Sequence, residues 1–175
     1  MSHEEEDDKM YSFREAVQSI NAWKAHQLRS TRQDEARTCI LDSLDENSVH
    51  VTQDWAMKFL PQYRESQSDW FAKRGISWHI SVVARKIQGR FYHQTFVHIV
   101  ENCTQASFTV VRILEHTLST LKKELPELTT AFLRQGNAGC YHCTEMLASC
   151  TRMKAKTGIA VARVDFSDPQ GGRVL

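Results

Sequence analysis

After Val100 the spacing of apolar residues in this chain changes from two to between three and four, and that switch limits the fold more than any other feature. Before it, Ile76-Ser77-Trp78-His79-Ile80-Ser81-Val82 alternates as a half-buried strand does. Gln88-Gly89-Arg90 reads as a hairpin turn into a third strand, Phe91 to Val100. Upstream, residues 48–55 form an apolar run that ends on Asp54-Trp55 and supplies the first strand. After the switch, Phe108, Val111, Leu114, Leu118, Leu121 and Leu125 share one face of a helix expected over 104–125, which Pro126 ends. A strand over 129–135, a helix over 140–153 and a strand over 159–166 continue the alternation.

Three sequential strands around a tight turn predict an antiparallel meander, and the later alternation predicts crossover units with parallel pairing. The expected fold class is therefore α/β: a mixed sheet of three antiparallel strands, then helix-strand-helix-strand. That is the ribonuclease H-like order. Helices on both faces would explain why strands 2 and 3 are apolar on both sides.

N-terminal helices precede the sheet. Phe13, Val17, Ile20 and Trp23 recur at helical steps, and Ser30 with Gln33 offers a capping-box restart for a second helix carrying Ala36, Ile40 and Leu44. These helices form either a small subdomain or a cover for the sheet. The expected organisation is an acidic, solvated, disordered tail over 1–10, a helical segment over 11–46, and the sheet domain over 47–175.

A chain of 175 residues suits one core. The formal charge of +1 is unevenly spread. Glu4, Glu5, Glu6, Asp7 and Asp8 stand against Lys9, a net of −4 over residues 1–10. Residues 58–90 carry Lys58, Arg64, Lys73, Arg74, Arg85, Lys86 and Arg90 against Glu65 and Asp69, a net of +5. No apolar stretch approaches the roughly 20 residues that cross a bilayer, so no membrane partner is expected. The acidic start is unlike a secretory signal, which predicts an intracellular chain whose five cysteines are reduced thiols. No motif for a small-molecule substrate is present, and nothing fixes an oligomeric state.

The residue that carries chemistry is Asp54. A carboxylate closing a strand beside other strand ends is where a two-metal phosphoryl-transfer site takes its first ligand. Such a site holds divalent ions roughly 4 Å apart and needs hard oxygen ligands, which suits Mg²⁺ or Mn²⁺. The alternative is that Asp54 caps a turn before Met57-Lys58.

Several segments in order carry a family resemblance. They are Asp54-Trp55-Ala56-Met57-Lys58-Phe59-Leu60-Pro61, the run Tyr63 to Phe71 with Lys73-Arg74-Gly75, Ser77-Trp78-His79, Asn137-Ala138-Gly139-Cys140-Tyr141-His142, and Asp165 to Gly172. Over about 23–172 the chain resembles a transposase-derived family of animal genomes with a ribonuclease H-like catalytic core of the Asp, Asp, Glu/Asp type. The resemblance implies metal-dependent cleavage and strand transfer on DNA in the ancestor, a Mg²⁺ or Mn²⁺ site, and a nuclear role if that function is retained.

Carried over, Asp54 is the first acid. The second acid would precede Asn137, where this chain has Gly136. The family continues beyond Gly172 into a helix with a further acid, whereas this chain reads Arg173-Val174-Leu175. The expectation is a truncated, degenerate core without that C-terminal helix, catalytically inactive and binding no metal; the alternative is a non-catalytic module that binds nucleic acid or, through the acidic tail and N-terminal helices, protein. Asp165 and Asp168 are candidate stand-in ligands, although Asp168 more simply initiates the turn at Pro169.

Three other groups compete for a role. Cys140, His142, Cys143 and Cys150 invite a zinc reading, but three thiols down one helix face read as small core residues. His79, His93 and His98 lie on expected central strands, where neutral buried imidazoles are ordinary. The basic stretch, with Lys58, Arg64, Lys73 and Arg74 among Trp70, Phe71 and Trp78, either holds DNA through phosphate contact and stacking or is a solvated loop and guarded strand edge.

Overall fold

Gln88 and Gly89 both take positive φ, 49° and 77°, which makes a two-residue turn of the mirror-image type that matches strand twist. This turn pins Ile87 opposite Arg90 and so sets the register of the whole hairpin. The structure is a computed structural model that describes residues 3–56, 76–100 and 103–167. Lys58, Arg64, Lys73, Arg74, Asp168 and the turn at Pro169 lie outside the described residues.

The strands are β1 (Ser48–Trp55), β2 (Ser77–Ile87), β3 (Arg90–Val100), β4 (Thr130–Gln135) and β5 (Ala160–Phe166). They form one sheet in the order β3-β2-β1-β4-β5. β1 runs antiparallel to β2 and parallel to β4, and β4 runs parallel to β5. This is the ribonuclease H-like arrangement. It places the ends of β1 and β4 side by side at the centre of the sheet.

Helices α1 (His3–Ser43), α2 (Ser107–Glu124) and α3 (Thr144–Thr157) accompany the sheet. The core lies between the sheet and the pair α2 and α3. Val49, Val51, Val83 and Leu133 project from the strands to meet Val110, Leu114, Leu118 and Leu121 of α2 and Met146 and Met153 of α3. Residues three or four apart on α2 form that buried face, so the helix is held chiefly by packing. It stops at Leu125, before Pro126, and Lys122 Nζ donates to the carbonyls of Pro126 and Leu128 at 2.6 and 2.7 Å. Helix α3 ends on Gly158, whose φ of 79° is left-handed and whose N–H donates to the Lys154 carbonyl. A Cβ there would also sit 3.1 Å from Lys122 Cε. Gly158→Ala is therefore expected to cost about 1 kcal/mol, measured by urea denaturation.

Four features differ from the sequence expectation. First, α1 is a single helix. It passes through Ser30 without a break and includes the acidic stretch from His3 that reads as a disordered tail. The segment His3–Ser43 has no glycine or proline. Thr31 Oγ1 donates back to the Gln27 carbonyl within the helix, at 3.0 Å, so the restart signal is not used. Second, only the C-terminal part of α1 covers the sheet. Ile40 and Leu44 are buried, Lys86 Nζ donates to the Asp42 carbonyl, and Arg134 pairs with Asp34 at 3.8 Å.

Third, β3 is an edge strand rather than a central one, and Val97 and Ile99 are exposed on it. Fourth, α3 starts at Thr144 and not at Cys140. The N–H groups of Tyr141 and His142 both donate to the Ala138 carbonyl, which uses residues 138–142 in a turn. Cys143 is the extended N-cap residue, so Cys140 and Cys143 precede the helix instead of lining its face. No helix among the described residues is long and apolar enough to cross a membrane.

Candidate functional site

Parallel pairing places Gln53 of β1 beside Gln135 of β4, and the next residue on each strand is Asp54 and Gly136. The two positions meet. A Cβ built on Gly136 would lie 2.7 Å from Asp54 Oδ1 and 3.1 Å from its Cγ. The Asp54 carboxylate thus occupies the space that a side chain at 136 would need. Its Oδ1 also accepts the Trp55 N–H at 2.8 Å.

Burial pushes the Asp54 carboxyl above the usual carboxylate range, and the Trp55 N–H and the Tyr141 hydroxyl oppose that shift. Tyr141 is fully buried. Its hydroxyl lies within electrostatic reach of Asp54 but forms no hydrogen bond of full geometry. Burial, then the Asp54 charge, holds its own pKa well up. Beneath the strand ends, Gln53 Nε2 donates to Gln135 Oε1 at 2.9 Å, with both side chains buried.

Tyr141, Gln53 and Gln135 were not singled out from the sequence. For the glutamines a signal was present: Gln53 continues the period-two face of Val49 and Val51, and Gln135 that of Ala131 and Leu133. A polar side chain at the end of a core-facing row marks the rim of the core. Tyr141 had no such signal, because its neighbours form a turn.

The remaining candidates among the described residues do not gather with Asp54 into a ligand group. Asp165 lies on β5 and accepts from Arg163 Nε at 2.9 Å. Among the described residues no group of three or more His, Cys, Asp or Glu converges as metal ligands. Cys143 lies near the Cys140 carbonyl, and burial raises the pKa of Cys140, and that of Cys150 to about 11. These last two are therefore thiols at neutral pH, poor as ligands or nucleophiles.

His79 is buried on β2 and faces Trp55 and Tyr141 at ring separations of 5.0 and 6.0 Å. His98 and His116 share a 3.0 Å contact between Nε2 and Nδ1 farther out, and His93 lies on the edge strand. Among the described residues these imidazoles form no group of three or more potential metal ligands with Asp54.

A divalent pair needs carboxylate oxygens from both strand ends. Here one end offers a carboxylate with a raised pKa and the other offers glycine. The donor set among the described residues does not fit a two-metal centre.

A family model described as "Domain of unknown function (DUF8701)" matches residues 33–173. No curated protein matches. Among solved structures, the chain is similar to the catalytic domain of Mos1 mariner transposase at 12% identity, covering 76% of this chain and 59% of that one, with a TM-score of 0.39. It is also similar to the Mos1 transposase paired-end complex with left transposon end, at 13% identity, 76% and 41% coverage, and a TM-score of 0.38. A Mos1 mariner paired-end complex with Mn gives 14% identity, 78% and 39% coverage, and a TM-score of 0.36. The chain spans between 39% and 59% of the length of these chains.

Proposed function

The chain belongs to the family described as a domain of unknown function (DUF8701), and we propose that within it this protein is a transposase-like ribonuclease H-fold core that performs no phosphodiester chemistry. One observation carries the proposal. Gly136 stands against the Asp54 carboxylate where a second carboxylate would have to stand to share a metal pair. The ancestral reaction in this reading is metal-dependent cleavage and strand transfer on DNA. Its ions supply an activated attacking oxygen and a stabilised leaving oxygen. With glycine at 136, Asp54 is left as an exposed acid at the rim of the core, braced by the Trp55 N–H and close to Tyr141, a structural residue of the β1 end.

The test is a nicking assay on supercoiled DNA with Mg²⁺ or Mn²⁺. The expected outcome is no cleavage above background, with wild type and Asp54→Ala indistinguishable. Nicking that disappears in Asp54→Ala would overturn the proposal.

A DNA-holding role is a second reading, and the net charge of +5 over residues 58–90 supports it. It would place the protein in the nucleus. DNA affinity should then fall steeply with salt and drop on charge reversal at Lys73 and Arg74. Binding unchanged by that reversal would remove this reading without touching the first.

A further inference from the structure

His50 of β1, Ala84 of β2 and His93 of β3 are Cα partners in one row across three strands. His50 and Ala84 alternate with Val49, Val51 and Val83, which face α2 and α3, so the row lies on the other side of the sheet. With strands about 4.8 Å apart, the two histidines stand about 10 Å from each other. The residue between them is small, which leaves a hollow over Ala84. Val82 extends its floor along β2, Phe91 walls it beside His93, and Arg37 and Leu41 of α1 roof it. The cavity measures about 160 Å³. His50 is four residues, roughly 13 Å, along β1 from Asp54, so this hollow is separate from the strand ends described above.

The lining selects a ligand class. His50 is only 3% exposed, yet burial, Arg37, Arg134 and Asp165 act on its ring and no hydrogen bond does. Burial and the two arginines keep the imidazole uncharged at neutral pH, so it offers one N–H that calls for an acceptor. Arg134 is already paired with Asp34, which leaves Arg37 as the cation at the hollow. Lys86 Nζ, 5.7 Å from the centre of the Phe91 ring, adds positive charge at the rim, and none of the lining residues is acidic. This end of the cavity suits an anion, while Leu41, Val82 and Phe91 suit an apolar body. At about 30 Å³ per water molecule the space equals roughly five waters. Sites for drug-sized molecules occupy about 300–1,000 Å³, so a whole nucleotide is too large.

We propose that this hollow binds a small organic monocarboxylate, its carboxylate held between Arg37 and His50 and its apolar body, one ring or a branched chain, set against Leu41, Val82 and Phe91. A carboxylate has lone pairs enough to accept from the guanidinium and from the imidazole N–H together. His93 faces the same space across Ala84 and reports on its occupancy. The small side chain at 84 is what keeps the site open.

The test is a titration of the full chain with sodium benzoate at pH 7.5, followed by nuclear magnetic resonance at the ring C–H groups of His50 and His93. Both should shift saturably, with a Kd of about 1 mM or below. Benzamide lacks the charge and inorganic phosphate lacks the apolar body, and each should bind at least about tenfold more weakly. Arg37→Gln should weaken benzoate by at least about tenfold. Ala84→Leu fills the floor without removing a polar group and should abolish the shift at His50. Arg37 is exposed, so its variant keeps the test decisive if Ala84→Leu disturbs the sheet. No saturable shift by about 20 mM benzoate, benzamide or phosphate binding as tightly as benzoate, or benzoate affinity unchanged in Arg37→Gln or in a folded Ala84→Leu protein would each overturn the inference.

Discussion

Gly136→Asp is expected to destabilise the protein by roughly 2–4 kcal/mol at pH 7.5, the energy of two like charges about 4 Å apart at the edge of a core. The new Cβ would start 2.7 Å from Asp54 Oδ1, so Asp54 must rotate and surrender its hydrogen bond from the Trp55 N–H. Two carboxylates then compete for one partly desolvated corner, and one of them is driven toward protonation. The penalty should therefore be smaller at pH 5 than at pH 7.5. Asp54→Asn should relieve most of it in the double variant, and millimolar Mn²⁺ should restore the stability of the single variant by binding its folded state. Urea denaturation at the two pH values measures all three effects. A Gly136→Asp protein as stable as wild type at pH 7.5 would show that the two strand ends are not in contact.

Acid should unfold the protein through its buried histidines. Burial first, then the nearby His98, lowers the His79 pKa to about 4. His50, buried beneath α1 and near Arg37 and Arg134, is likewise lowered to about 4. Both pKa values are depressed on folding, so below pH 6.5 the unfolded chain takes up protons that the folded chain refuses. Stability is then full above about pH 6.5 and is lost as pH falls toward 4, by up to about 3 kcal/mol for His79. Asp54 acts with the opposite sign, because its raised pKa makes the folded state the better proton acceptor as pH falls. His79→Phe keeps a ring against Trp55 and removes the titrating group. Its stability between pH 4.5 and 7 should vary less than that of wild type. An identical pH slope in the two proteins would mean that His79 is already protonated or exposed.

The sheet was legible because its signals are local. Period two at Ile76–Val82, the Gln88-Gly89 turn and the change of period after Val100 each follow from backbone geometry, and together they leave few strand orders. The continuity of α1 was not legible. The capping pattern at Ser30 competes with an uninterrupted run of helix-compatible residues, and spacing alone does not decide between them. The start of α3 was missed for a similar reason. Cys140 and Cys143 have helical spacing, but the Ala138 carbonyl takes the N–H groups of Tyr141 and His142 and delays the helix.

For the candidate site, the order of elements placed Asp54 and Gly136 at neighbouring strand ends. How closely they meet, and the presence of Tyr141 behind Asp54, depend on packing across the sheet that no local pattern encodes.

The proposal that Gly136 stands in place of a second acid predicts the absence of metal binding before it predicts anything about catalysis. The most direct measurement is the electron paramagnetic resonance signal of Mn²⁺ titrated with the wild-type chain. All of the ion should remain in the free aqueous signal at millimolar protein, and Asp54→Ala should change nothing. Stoichiometric loss of the free signal that Asp54→Ala abolishes would show that Asp54 still holds a metal, and would contradict the proposal that the centre is gone.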